Sequence, residues 1–185
     1  SHGGAGDGLR GDESAVLLRW LFAADAPIAA KVLGLRQLAA ELAERPGHRL
    51  LWVDVDILVL GDFSELARVD PGTLIVAEES NPNDNARVAP RQQALQMEVG
   101  KPRETTISSC IIGVTSAHTD LLTRWQTLME HPAFLAEQAL PPGQRKLFMG
   151  DQEVWEAVLC EPSNRDQKLH WLLNDAQMLQ ANYTR

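Results

Sequence analysis

Two aspartates, Asp54 and Asp56, interrupt the apolar run "LLWVDVDILVL" at residues 50–60. Burying an ionised carboxylate is costly unless it is paired or bound to a metal. Residues i and i+2 of a strand share a face, so the two carboxylates can converge on one cation. Mn²⁺ and Mg²⁺ favour such oxygens and keep positions open for phosphate oxygens. An Asp-x-Asp there is half of a metal shell able to grip a diphosphate and screen it as it leaves. A strand end opening on water also fits the spacing, and the two residues alone leave both readings open.

Four other positions carry candidate chemistry. Asp151, in "GDQEVWEAVLC", is expected to cap a helix, and a helix N-terminus is also an anion site, with Gln152 beside it. Lys31, in the apolar stretch "PIAAKVLGL", either contacts a phosphate or base or snorkels to solvent. His170 in "KLHWLL" is either a further metal ligand or an edge residue, whereas His2, His48, His118 and His131 show no ligand spacing. Trp20, Trp52, Trp125, Trp155 and Trp171 read as core. No zinc pattern, P-loop or G-x-S-x-G elbow occurs. Gly6, Gly8 and Gly11 have G-x-G-x-x-G spacing without the preceding strand a dinucleotide site requires.

The chain has 185 residues, 44% hydrophobic and 23% charged, which fits one globular domain with a sizeable core. A net charge of −8 argues against nucleic acid as a partner, and an anionic substrate here would need a cation to screen it. No apolar run is long enough to span a membrane. The opening "SHGGAGDGLRGDE" lacks the character of a signal peptide. Cys110 and Cys160, both in apolar settings, are expected to be free thiols of a reducing, cytoplasmic compartment.

These residues need a frame. Residues 1–13 are Gly-rich and expected to be loose. Apolar spacing predicts a helix over 27–44, a strand over 50–60, and a turn with a short helix over 61–66. A second strand, 73–80, ends in acidic residues. Residues 81–104 read as a loop with a helix around 92–99. A third strand, 105–116, enters a helix with Leu121, Leu122, Trp125 and Leu128 on one face. A helix at 150–160 and a strand at 168–173 follow. The alternation predicts an α/β fold with a mostly parallel central sheet and helices on both faces. Ligands of such sheets sit beyond the carboxyl ends of the strands.

In this order the segments resemble GT-A-fold nucleotide-sugar glycosyltransferases, especially the glycogenin-like and related families. "RLLWVDVDILVLGDFSEL" is similar to their D-x-D segment, "vlylDaDilvlgdlsel". "TLIVAEES" stands in the place of the next strand, and "ISSCIIGVTSAHTDLLTRWQTLME" resembles their "fNsGvmv…ll..W" strand and helix. "GDQEVWEAVL" resembles "DQdvlN", and "APIAAKVLGLRQL" the helix "pawaKi.al". The resemblance covers roughly residues 27–160. It implies transfer of a sugar from a nucleoside diphosphate sugar to a glycan, lipid or protein acceptor, with retention at the anomeric carbon. It implies Mn²⁺ or Mg²⁺ at Asp54 and Asp56, with Asp56 the direct ligand and Asp54 holding the ribose or sharing the metal. Asp151 and Gln152 would lie beside the donor sugar, Ser109 on the acceptor side and Lys31 near the nucleotide.

Two departures are visible. Ser108-Ser109-Cys110 stands where the family has Asn-Ser-Gly, and the stretch before Lys31 leaves the nucleotide-binding half short or missing. "LLWVDVDILV" also resembles motif one of haloacid-dehalogenase phosphatases, with Asp54 as nucleophile, "IIGVTS" as the Thr/Ser strand and Lys146 as the neutralising lysine. That family follows its aspartates with a turn, whereas Leu58 continues the apolar run. A non-catalytic binding domain on a degenerate transferase fold is the third reading.

Overall fold

The computed structural model describes residues 16–17, 29–45, 47–54, 57–58, 63–79 and 82–173. Helix α1 (Ala29–Glu41) turns Val32, Leu35, Leu38 and Ala39 inward at helical spacing. A 3-10 turn at Leu42–Glu44 ends it, and Gly47, at φ +88°, makes the left-handed step into strand β2 (Arg49–Val53). Parallel to β2 runs β1 (Val16–Leu17). A 3-10 turn at Ser64–Arg68 leads to β3 (Leu74–Glu78), and α2 (Val88–Ala94) precedes β4 (Ile107–Val114). Then come α3 (Thr119–Met129), α4 (Pro132–Gln138), α5 (Asp151–Leu159) and β5 (Leu169–Leu172).

The sheet order is β1-β2-β4-β3-β5. The expected mostly parallel sheet is corrected: it is mixed, because β4 pairs antiparallel with both β2 and β3, while β1–β2 and β3–β5 are parallel. Strand and helix periodicity reports alternation but not direction, so this reversal has no signature in the sequence. β1, β2, β3 and β5 still run the same way, so their carboxyl ends share one edge with the start of β4.

Among the described residues the α-helices lie on one face of the sheet. α1, α3 and α5 pack together on one face with Ile107, Ile112 and Val114, around Trp125 and Trp155, whose rings lie 4.5 Å apart. The other face, with Leu51, Ile75 and Ile111, is covered by Leu66, Phe63 and Val69 of the turn before β3. At the far end of the sheet the buried guanidinium of Arg49 donates to the carbonyls of Thr73, Gly113, Val69 and Asp70, tying the start of β2 to its neighbours.

Several boundaries moved. The strand expected over 50–60 ends at Val53, for Ile57 N–H folds back to donate to the Asp54 carbonyl at 3.1 Å, and Leu58 is exposed. The helix expected near 92–99 lies earlier, at 88–94, after a 3-10 turn at Pro82–Arg87. α4 had no reading in the sequence. No helix among the described residues is long and apolar enough to cross a membrane.

Candidate functional site

Four segments meet at the carboxyl edge of the sheet. α1 brings Lys31 there from the helix layer, and Asp54 follows directly on β2. β4 supplies Ser108 and Ser109, and α5 begins with Asp151 and Gln152. The register of β4 explains why the serines project there. Val76 pairs with Ile112, yet the next residue, Ala77, pairs with Ser108, so residues 109–111 bulge away from β3. Bulges re-aim side chains and free backbone groups beside functional sites.

Lys31 is the hub. Its ammonium lies 3.0 Å from Asp54 Oδ1 and 3.1 Å from Asp151 Oδ2, and it donates to the Ser109 carbonyl at 2.6 Å and to Ser109 Oγ at 3.2 Å. It also sits over the Trp52 ring, 5.6 Å from the centroid. With only 11% of its side chain exposed, Lys31 does not snorkel; it hydrogen-bonds Ser109 and Asp54 and forms an ion pair with Asp151, whose Oδ2 is buried and accepts no hydrogen bond. Trp52 Nε1–H donates to Asp54 Oδ1. Burial pushes the Asp54 carboxyl above the ordinary aspartate range, while the Lys31 charge and the Trp52 hydrogen bond pull it back.

Beside this hub runs a second chain of bonds. Gln152 Oε1 accepts from Ser108 Oγ (3.1 Å) and Ser109 N–H (3.3 Å), and Gln152 Nε2 donates to Glu79 Oε2 (3.1 Å). These partners fix which way the amide points. They also occupy both lone pairs of its oxygen, so Gln152 can meet a ligand only through its remaining N–H.

Of the residues singled out in the sequence, the structure brings Lys31, Asp54, Ser109, Asp151 and Gln152 together. Asp56 lies outside the described residues. Asp54 itself sits just past the end of β2. The capping role expected of Asp151 is corrected. Gly150 is the N-cap residue, and its N–H donates to Glu153 Oε2 at 2.8 Å, so Asp151 is the first helical residue and its carboxylate turns to Lys31. His170 is half-buried on β5. Cys110 and Cys160 are not joined in a disulfide; Cys110 is half-buried and Cys160 buried, its thiol pushed up to about 11 chiefly by burial.

Trp52, Glu79 and Ser108 went unread as site residues. Trp52 stands two residues before Asp54, a spacing that shares a face on a strand, but a tryptophan in an apolar run reads as core. Glu79 closes the acidic end of β3; nothing in the sequence says that Gln152 arrives there.

Among the described residues, no group of three or more His, Cys, Asp and Glu side chains is arranged to hold a metal ion. The charge of the cluster nevertheless favours a further cation: one ammonium, Lys31, faces the carboxylates of Asp54 and Asp151, with Glu79 adjoining through Gln152. A diphosphate entering this excess of negative charge would be repelled without one. Asp54 Oδ1 is engaged by Lys31 and Trp52. In comparison with known proteins, no family model matches the chain and no curated protein matches it.

Proposed function

We propose that the chain is a glycosyltransferase that moves a sugar from a nucleoside diphosphate sugar to a glycan, lipid or protein acceptor, with retention. The observation that carries this reading is the convergence of Lys31, Asp54, Ser109, Asp151 and Gln152, from distant segments, on the carboxyl edge of the sheet. Breaking the anomeric bond develops negative charge on the departing diphosphate and positive charge on the sugar carbon. Lys31 offers a fixed cation to the former and Asp151 a fixed anion to the latter, both held before substrate arrives. To touch phosphate directly, Lys31 gives up one of its two hydrogen bonds to Ser109. A bound Mn²⁺ or Mg²⁺, held by Asp56 and oriented through Asp54, would supply the remaining screening of the diphosphate. The two thiols, not joined in a disulfide, agree with a cytoplasmic setting.

The phosphatase reading loses support from topology. β2 and β4 are antiparallel, so Val114, just before Thr115, pairs with Leu50 at the opposite end of β2 from Asp54. The Thr115 hydroxyl donates to the Pro71 carbonyl, and Lys146 is exposed on another loop.

Titrating UDP- and GDP-sugars with and without Mn²⁺, followed by thermal melting and calorimetry, tests the proposal. A cognate donor at ~100 times its dissociation constant adds ~2.7 kcal/mol of stability, and this gain should require the metal and disappear in Asp54→Asn. Failure of every nucleotide sugar to bind the folded protein would overturn it. Binding without hydrolysis or transfer to any acceptor would favour the non-catalytic domain.

A further inference from the structure

Away from the Lys31 cluster, a groove of about 740 Å³ lies between the loop 99–105, the C-terminal end of α5 and β5. That volume is on the scale of small-ligand sites. Its walls are held rigidly. Gln92, fully buried, accepts from Gly100 N–H and donates to the Ala157 carbonyl, each at 2.9 Å, stapling the loop to α5. Gly100 passes so close that a Cβ there would lie 1.8 Å from the Cys160 carbonyl oxygen. Arg103 is fixed by the carbonyls of Leu159, Asn164 and Arg165. A groove so stapled loses little freedom when a ligand enters.

Its lining has a distinct chemistry. Trp171 and Leu169 form an apolar side, while Lys101, Arg103 and Arg165 outnumber the single carboxylate, Glu104. This basic island stands in a chain of net charge −8. Lys101 and Arg165 are exposed, and the Arg103 guanidinium donates to carbonyl oxygens, which satisfy its hydrogens without cancelling its charge. The apolar C–H face of a pyranose suits an indole surface, and its carboxylate suits the cations beside it. The groove also adjoins the proposed site. Thr105 lines it, and the next residue, Thr106, accepts from Glu79 N–H at 2.9 Å, while Glu79 in turn holds Gln152.

We propose that this groove binds an acidic oligosaccharide, one bearing uronic acid residues, as the acceptor chain extending from the transfer site. Its acceptor role rests on the transferase reading; its affinity for acidic glycan does not. Calorimetry with a short oligogalacturonate, a neutral oligosaccharide of equal length and a polyglutamate peptide tests it on the full chain. Binding of the oligogalacturonate should weaken as salt rises and fall about tenfold or more in the double variant Lys101→Glu, Arg165→Glu, as expected when rim charges are reversed. Melting checks that the exposed substitutions leave the fold intact, and the nucleotide-sugar response should be unchanged. Trp171→Ala should weaken the acidic and neutral sugars alike. Absence of oligogalacturonate binding, indifference to the charge reversal, or an equally tight neutral sugar would overturn the proposal. Tighter polyglutamate would overturn it in favour of an acidic protein segment. Charge-dependent glycan binding with no response to any nucleotide sugar would uphold the groove as a glycan site and sink the transferase reading instead.

Discussion

Lys31 holds together two carboxylates that would otherwise face each other across a partly buried space. Lys31→Met keeps most of the shape and removes the charge, so Asp54 and Asp151 lose their shared cation. With Asp54 31% exposed, water and protonation absorb part of the loss. A cost of about 1–3 kcal/mol is expected, visible as a lowered melting temperature, together with loss of nucleotide-sugar binding. A melting temperature that stayed put while binding vanished would mean that the ammonium serves the ligand alone. The Arg91–Glu156 pair offers a contrast: its side chains are 1% and 2% exposed. Removing Arg91 takes the ion-pair partner from a carboxylate that stays fully buried, so Arg91→Met should cost about 3–5 kcal/mol by denaturant unfolding.

At the scale of elements, the passage from β4 to α3 carries a pH response. His118 Nδ1 accepts from Thr115 N–H at 3.0 Å, and the Thr115 hydroxyl accepts from Ala117 N–H. Burial, aided by the nearby Arg49 charge, holds the His118 imidazole below the ordinary histidine range. On acidification the unfolded chain therefore takes up a proton that the folded chain still refuses. The stability contributed by neutral His118 is complete above the ordinary histidine value and is lost as pH falls through the depressed one. Melting between about pH 7 and pH 5 should show a steeper decline in the native protein than in His118→Asn, where no group titrates. The loop against α5 gives a second prediction. Gly100→Ala drives a methyl into the Cys160 carbonyl, and the shift needed should cost about 1–3 kcal/mol, read from the urea midpoint.

At the scale of the described residues together, the α-helices pack on a mixed sheet, and the candidate site occupies the edge where β1, β2, β3 and β5 end. α1, β2, β4 and α5 each contribute to that edge, so disturbing the core between them should reach the site. Trp155 is fully buried against Trp125, whose Nε1–H donates to the Asp151 carbonyl. Trp155→Ala should cost about 3–5 kcal/mol and weaken nucleotide-sugar binding, because that indole pair anchors the start of α5. Stability lost with binding intact would show the site to be insulated from its core.

How much of this was legible beforehand differs by feature. Helical spacing at Val32, Leu35 and Leu38, and the apolar face of α3, survive intact because burial periodicity is local chemistry. Asp54 and Lys31 were legible because a charge in an apolar stretch is costly, Asp151 and Gln152 because they open a helix, and Ser109 only through the family resemblance. Direction, register and partnership were not. The reversed β4, the bulge at 109–111 beside the Lys31–Ser109 contact, and the Gln152–Glu79 bond depend on segments far apart in the chain. Only packing decides which of those segments meet. By itself, then, the sequence determined which residues require an explanation. The tertiary structure decided that Lys31, rather than water, answers for Asp54 and Asp151, since an ion pair exists only where the fold brings both charges within a few ångströms.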